Sequence, residues 1–149
     1  MNIYEKQKQA EQAFQDYLNK QKILFFYIDQ EVSTKSTASR YLQRPDFILL
    51  LKNKTILIDV EHNIPLKKYP KFCISQPETF RYNNLKKHSN LEVYYAISNE
   101  KINYNSWYLI NIQKVLSLNR YFVKDSHYYS IPIDSFTKVS SEDNIAKHL

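Results

Sequence analysis

Two acidic residues two positions apart, Asp59 and Glu61, close an apolar run, and a third, Asp46, stands thirteen positions before the first of them. In a β-strand alternate side chains share a face. Asp59 and Glu61 therefore project together, while Ile58 and Val60 point the other way, into a core. Asp46 opens the preceding apolar run and can sit beside them on a neighbouring strand. Three carboxylates converging at the end of an apolar hairpin repel one another unless a cation lies between them. Hard oxygen donors of this kind suit Mg²⁺ or Mn²⁺. Such a cation binds a phosphodiester, polarises it and lowers the pKa of an attacking water. Acids on a solvated hairpin edge carry no such meaning; here Asp59 follows directly on Ile56-Leu57-Ile58, which reads as buried strand.

The chemistry of the next stretch is complementary. Lys67, Lys68, Lys71, Arg81, Lys86 and Lys87 are interleaved with Tyr69, Phe72, Phe80 and Tyr82, and Glu78 is the only acid among them. Cations with aromatics suit phosphate contact together with base or sugar stacking. Lys67, Lys68 and Lys71 are read as DNA-backbone contacts, and Phe80 and Tyr82 as core. Before Asp46, a Ser/Thr-rich loop from Ser33 to Arg44 carries Lys35 and Arg40, which would also meet phosphate. Glu11, on an amphipathic N-terminal segment, is a further candidate metal ligand. His62 would face away from the acids and reads as rim. Cys73 reads as a buried thiol.

The elements that must hold these groups follow from the same pattern. Residues 2–20 carry an apolar stripe at helical spacing, and 23–29 read as a strand. Phe47–Leu51 and Thr55–His62 read as a hairpin, with Asn53 supplying the left-handed turn residue. A basic, proline-punctuated connection runs from Pro65 to Pro77. A helix is expected over 78–88 and strands over 91–98, 106–112 and 127–133, the second passing into a short helix. The tail, 141–149, reads as weakly ordered. The expected fold class is α/β (α+β), a central mixed sheet flanked by helices in a single domain spanning 1–149. The length of 149 residues suits one domain. The formal charge of +6 favours a polyanion partner. The absence of glycine removes phosphate-loop and dinucleotide-fingerprint chemistry, both of which need its backbone freedom. The longest apolar run is too short to span a membrane, and the lone cysteine and polar N-terminus fit a cytoplasmic protein.

Pro45-Asp46, followed by Asp59-Val60-Glu61, resembles the motif of the PD-(D/E)XK nuclease superfamily, the restriction-endonuclease-like fold. The order of a helix, a three-stranded meander, a second helix and a further strand over residues 2–98 resembles its core. The resemblance implies that Asp46 and Asp59 bind Mg²⁺ or Mn²⁺ and that the chain hydrolyses DNA as a metal-dependent endonuclease or nuclease subunit. RNA is compatible with the same residues. Glu61 stands where the family usually has lysine. It would act there as a ligand or general base, or Lys67 or Lys68 would take over the lysine's role. The other reading is a catalytically inactive nucleic-acid-binding or protein-interaction domain that has kept the fold. A chain this small would cut both strands of a duplex as a homodimer or within a larger nucleoprotein complex.

Overall fold

The structure, a computed structural model, describes residues 1–29 and 40–149. Helix α1 (Ile3–Lys20) begins at a capping box. The Asn2 side chain accepts from the Glu5 amide and the Glu5 carboxylate accepts from the Asn2 amide, so two orphan donors of the first turn are satisfied reciprocally. Strands β1 (Leu24–Tyr27), β2 (Phe47–Leu50) and β3 (Thr55–His62) form an antiparallel meander. Strand β4 (Lys71–Ser75) leads directly into α2 (Gln76–Ser89), and β5 (Glu92–Ser98) returns parallel to β3. Strand β6 (Ser106–Asn111), α3 (Ile112–Ser117), β7 (Tyr128–Pro132) and β8 (Thr137–Ser140) follow. The main sheet has the order β1-β2-β3-β5-β6-β8, and β4 pairs with β7 in a separate two-stranded sheet.

The period of two along β3 divides the core. Ile56, Ile58 and Val60 face α1 and pack with Phe14, Leu18, Phe47 and Trp107. Leu57 faces the other way and joins Tyr82, Val93, Tyr95 and Ile97 on the α2 side. Asp59 and Glu61 share that second face by alternation. No helix among the described residues is long and apolar enough to cross a membrane.

Four local expectations are corrected. The segment Lys71–Ser75 is a strand, its Phe72 and Ile74 buried and its Cys73 exposed, because alternation turns the thiol outward. Phe80 lies on the outer side of α2 and is exposed, whereas Tyr82 is fully buried. Asn53 does not take the left-handed conformation; among the described residues Lys22, Asn90, Asn103, Tyr104 and Asp125 do. Asn90 caps α2 at φ 58°, a role glycine fills in most proteins. The tail holds a 3-10 turn, Ile145–His148, whose Ile145 is fully buried in the α1-side core.

Candidate active site

The site forms where β2 stops and β3 runs on. The last backbone pair of the β2 ladder is Phe47 with Ile58, and the Asp46 amide still donates to the Ile58 carbonyl at 3.0 Å. One step further, side chains replace the strand. Asp46 Oδ2 accepts from the Val60 amide at 2.8 Å. From α1, Gln7 Nε2 donates to the Val60 carbonyl at 2.5 Å, and its Oε1 accepts from the His62 amide at 3.0 Å. Beyond the end of β2, side chains thus bond the edge of β3 that faced β2, while β5 pairs with its other edge through His62. A cleft of about 460 Å³ opens there, lined by Asp46, Asp59, Glu61, His62, Gln7, Gln43 and Arg44.

On the α2 side, Asp59, Glu61 and Glu78 each offer a carboxylate oxygen, and these oxygens lie within 4.8 Å of one another. Glu78 is placed by the start of α2. The Ser75 hydroxyl caps the helix by accepting from the Glu78 amide at 3.3 Å, and a proline stands in the first turn. An acid in this turn is favoured by the helix dipole. Tyr82, one turn on, donates its hydroxyl to Asp59 Oδ1. Asp59 Oδ2 is buried and has no hydrogen-bond partner among the described residues. Arg81 donates from Nε to Gln43 at 2.8 Å, and its charge favours the ionised form of Glu78.

The electrostatics follow from crowding. Burial, then the neighbouring Asp59 and Glu11 charges, push Asp46 up to about 10. Burial, with the charges of Glu78 and Asp46, pushes Glu61 up to about 7. Burial and Glu61 hold Asp59 well above the usual carboxylate range, and burial raises Glu78. Without a counter-charge these acids retain protons that a carboxylate in water releases. An all-carboxylate donor set with one buried, unsatisfied oxygen fits a hard divalent cation, Mg²⁺ or Mn²⁺.

Every anticipated residue but Lys35 has a definite place. Asp46 and Asp59 are both about 5% exposed and line one cleft with Glu61. Glu11 is buried, accepts from the Tyr27 hydroxyl at 3.3 Å, and lies within hydrogen-bonding reach of Asp46. Lys67 and Lys68 are exposed in the loop after β3. Lys67 lines a different, largely apolar cavity with Ile64, Pro65 and Ile102, and neither lysine lines the two cavities onto which the acids open. Lys71 begins β4, opposite Pro132. Arg40 is exposed, and Lys35 lies outside the described residues. His62 is at the rim, paired with Glu100, which also holds Lys6 at 3.3 Å. Sequence reasoning misses Glu78, because a single acid among lysines and arginines reads as a solvated helix residue. Gln7 carries no signal at all, since its role depends on where β2 ends.

No protein-family profile matches the sequence, and no curated protein matches it. Among solved structures the chain is similar to Hjc, a Holliday junction resolvase from the archaeal hyperthermophile Archaeoglobus fulgidus, with a TM-score of 0.59 and 13% identity over 87% of this chain and 90% of that one. It is also similar to a nuclease from a fusselovirus, with a TM-score of 0.47 and 15% identity over 91% of this chain and 80% of that one. At such identities the likeness is one of fold. The fold is the one shared with this resolvase, a mixed sheet flanked by helices of the restriction-endonuclease-like kind, as the sequence pattern implied.

Proposed function

We propose that this chain is a divalent-metal-dependent nuclease that hydrolyses phosphodiester bonds of DNA. One observation carries the proposal. On a nuclease fold, Asp59, Glu61 and Glu78 converge within 4.8 Å, and Asp59 Oδ2 is buried without a partner among the described residues. A structural acid would have its oxygens satisfied. A bound cation would supply Lewis-acid polarisation of the phosphodiester and acidify a water.

The chain's own residues would do the rest. Asp59, Glu61 and Glu78 would hold the cation, with Asp46 beside Asp59 on the cleft side and Glu11 behind Asp46. Tyr82 fixes Asp59 by donating to Oδ1. Glu61, in the position the superfamily usually gives to lysine, would accept the proton of the attacking water. Arg44, which lines the cleft, and Arg81 would contact the phosphate, and Lys67, Lys68, Lys71, Arg40 and Lys35 the flanking backbone. Cutting both strands of a duplex would call for two copies or a larger assembly.

The test is incubation with linear duplex, single-stranded, flapped and four-way-junction DNA, with Mn²⁺ or Mg²⁺ and with chelator. The proposal expects cleavage of at least one form, dependent on the cation and lost in Asp59→Asn. A second reading, an inactive nucleic-acid-binding domain, is favoured by one observation: among the described residues no lysine lines the acidic cavities. It prevails if DNA binds but no form is cut and Mn²⁺ leaves the melting temperature unchanged.

A further inference from the structure

The two-stranded sheet of β4 and β7 stands apart from the main sheet, and its two faces differ. Phe72 and Ile74 of β4, with Tyr129 and Ile131 of β7, are buried in the α2-side core. Directly opposed residues of an antiparallel pair share a face. The register sets Lys71 against Pro132, Cys73 against Ser130 and Ser75 against Tyr128, so these six side chains form the outer face. Cys73 and Tyr128 are exposed there, and the other four are half-buried.

One end of this face lies at the acids. Ser75, Cys73 and Tyr128 line a cavity of about 280 Å³ together with Glu61 and Glu78, and the Ser75 hydroxyl caps α2 by accepting from the Glu78 amide. The other end carries Lys71. Four strand steps separate Lys71 from Ser75, about 13 Å, which is the rise of about four stacked bases. Two paired strands make a strip about 10 Å across, narrow enough to follow one strand of a nucleic acid.

The chemistry changes along the strip. Tyr128 is 50% exposed, and among the described residues its ring and hydroxyl have no partner. Cys73 and Ser130, in the middle, are small and leave room for a sugar and a phosphate. Among the described residues the Lys71 ammonium has no carboxylate partner, and none of the six residues is acidic. A free ring beside the acids, small groups next and a cation at the far end match a base, a backbone and a phosphate in sequence.

We propose that the outer face of the β4–β7 ladder is the track of one unpaired strand leading away from the acids, with a base stacked on Tyr128 and a phosphate held by Lys71. The proposal rests on the nuclease reading and narrows its substrate class to nucleic acid with unpaired nucleotides beside the cut: single strands, flaps and branched or frayed ends. A base inside a duplex is already stacked on both faces and does not reach Tyr128 unless it leaves the helix. Base–aromatic stacking tolerates any base, so the track selects structure rather than sequence.

Cys73, the only cysteine of the chain, lies in the middle of the strip and reports on it. The experiment follows its alkylation by N-ethylmaleimide in the full chain, in Ca²⁺, with and without a single-stranded oligonucleotide whose binding is measured by fluorescein anisotropy. With about nine-tenths of the protein bound, alkylation should slow about tenfold, because only the free fraction exposes the thiol. A relaxed, closed-circular duplex at the same occupancy should leave the rate almost unchanged. Tyr128→Ala should weaken binding of the single strand roughly 5- to 100-fold, the loss expected of one base–aromatic stack, and Tyr128→Phe should stay within about twofold of the wild type, since stacking needs the ring and not the hydroxyl. The proposal is overturned if Cys73 reacts equally fast in free and strand-bound protein, if the closed circle protects it as well as the single strand does, or if Tyr128→Ala binds the strand like the wild type. Where DNA is nonetheless cut, the track alone falls. If no form of DNA is bound or cut, the track and the nuclease reading fall together.

Discussion

Replacing Glu61 with Gln keeps the side chain's shape and removes its charge, and the structure dictates how stability should respond to pH. An acid whose pKa is raised by folding binds its proton more tightly in the native state. Its contribution is complete below the unfolded pKa, 4.5 for Glu61, and is lost as pH rises through the folded value of about 7. The interval of about 2.5 units corresponds to roughly 3 kcal/mol at 1.36 kcal/mol per unit. The metal-free wild type should therefore lose stability between about pH 5 and about pH 8, and Glu61→Gln should lose about 3 kcal/mol less over the same range. The assay is urea denaturation of both proteins in chelator across that range, repeated with Mn²⁺. A cation held by Glu61 narrows that gap. At a concentration of 100 times its dissociation constant it stabilises the wild type by about 2.7 kcal/mol, and the variant by less. A stability difference that does not change with pH would refute the reasoning. So would a variant that is less stable than the wild type near pH 8 in chelator, for then Glu61 would be a satisfied structural acid.

Other outcomes test the remaining groups. Glu78→Gln should reduce the Mn²⁺-induced shift in melting temperature and cut any cleavage rate by about a hundredfold or more, on the scale of losing one preorganised electrostatic group. Asp59→Asn should abolish cleavage while leaving metal-free stability equal or higher, because repulsion with Glu61 is relieved; a loss of about 1 to 3 kcal/mol in chelator would instead mark a structural hydrogen-bond acceptor. Gln7→Ala should destabilise the fold by about 1 to 3 kcal/mol in denaturant melts, since it leaves the Val60 carbonyl and His62 amide without their partner. Lys67, Lys68 and Lys71 changed together to Ala should lower the slope of log affinity against log salt by about 0.9 for each phosphate no longer neutralised, and an unchanged slope would make them bystanders.

The part of the fold that can be read from sequence is the part whose pattern is local. Thr55–His62 carries a continuous apolar run, Ile56-Leu57-Ile58, and is bounded by Lys52-Asn53-Lys54, so β3 and the face shared by Asp59 and Glu61 follow from strand geometry. The amphipathic stripe of α1 is equally local. The short strands β4 and β8 are not legible. Each has few inward residues, Phe72 with Ile74 in one and Val139 alone fully buried in the other, and the first is hemmed by prolines and lysines. Their pairing partners lie far along the chain. Glu78 is hidden for a related reason. Its position over Asp59 and Glu61 depends on β4 turning α2 back across the sheet, and nothing within a few residues of Glu78 records that path. For Cys73 and Phe80, residue type points inward, but the face that periodicity assigns them points out, and periodicity wins.

The interrupted pairing at the end of β2 couples integrity to chemistry in a way that bears on how such a site can be lost. Asp46 occupies the place of a peptide group, completing a ladder that has run out of strand. An acid in that position is not a removable accessory. Substituting an apolar residue would free a buried amide at Val60 and loosen the protruding tip of β3 on which Glu61 stands. A lineage that gave up cutting could shed Glu78 or Glu61 with little structural damage, but it would have to keep Asp46 or lengthen β2 by a residue to replace it. The first carboxylate of the motif can therefore outlast the activity, whereas the trio on the α2 side persists only while something holds it together.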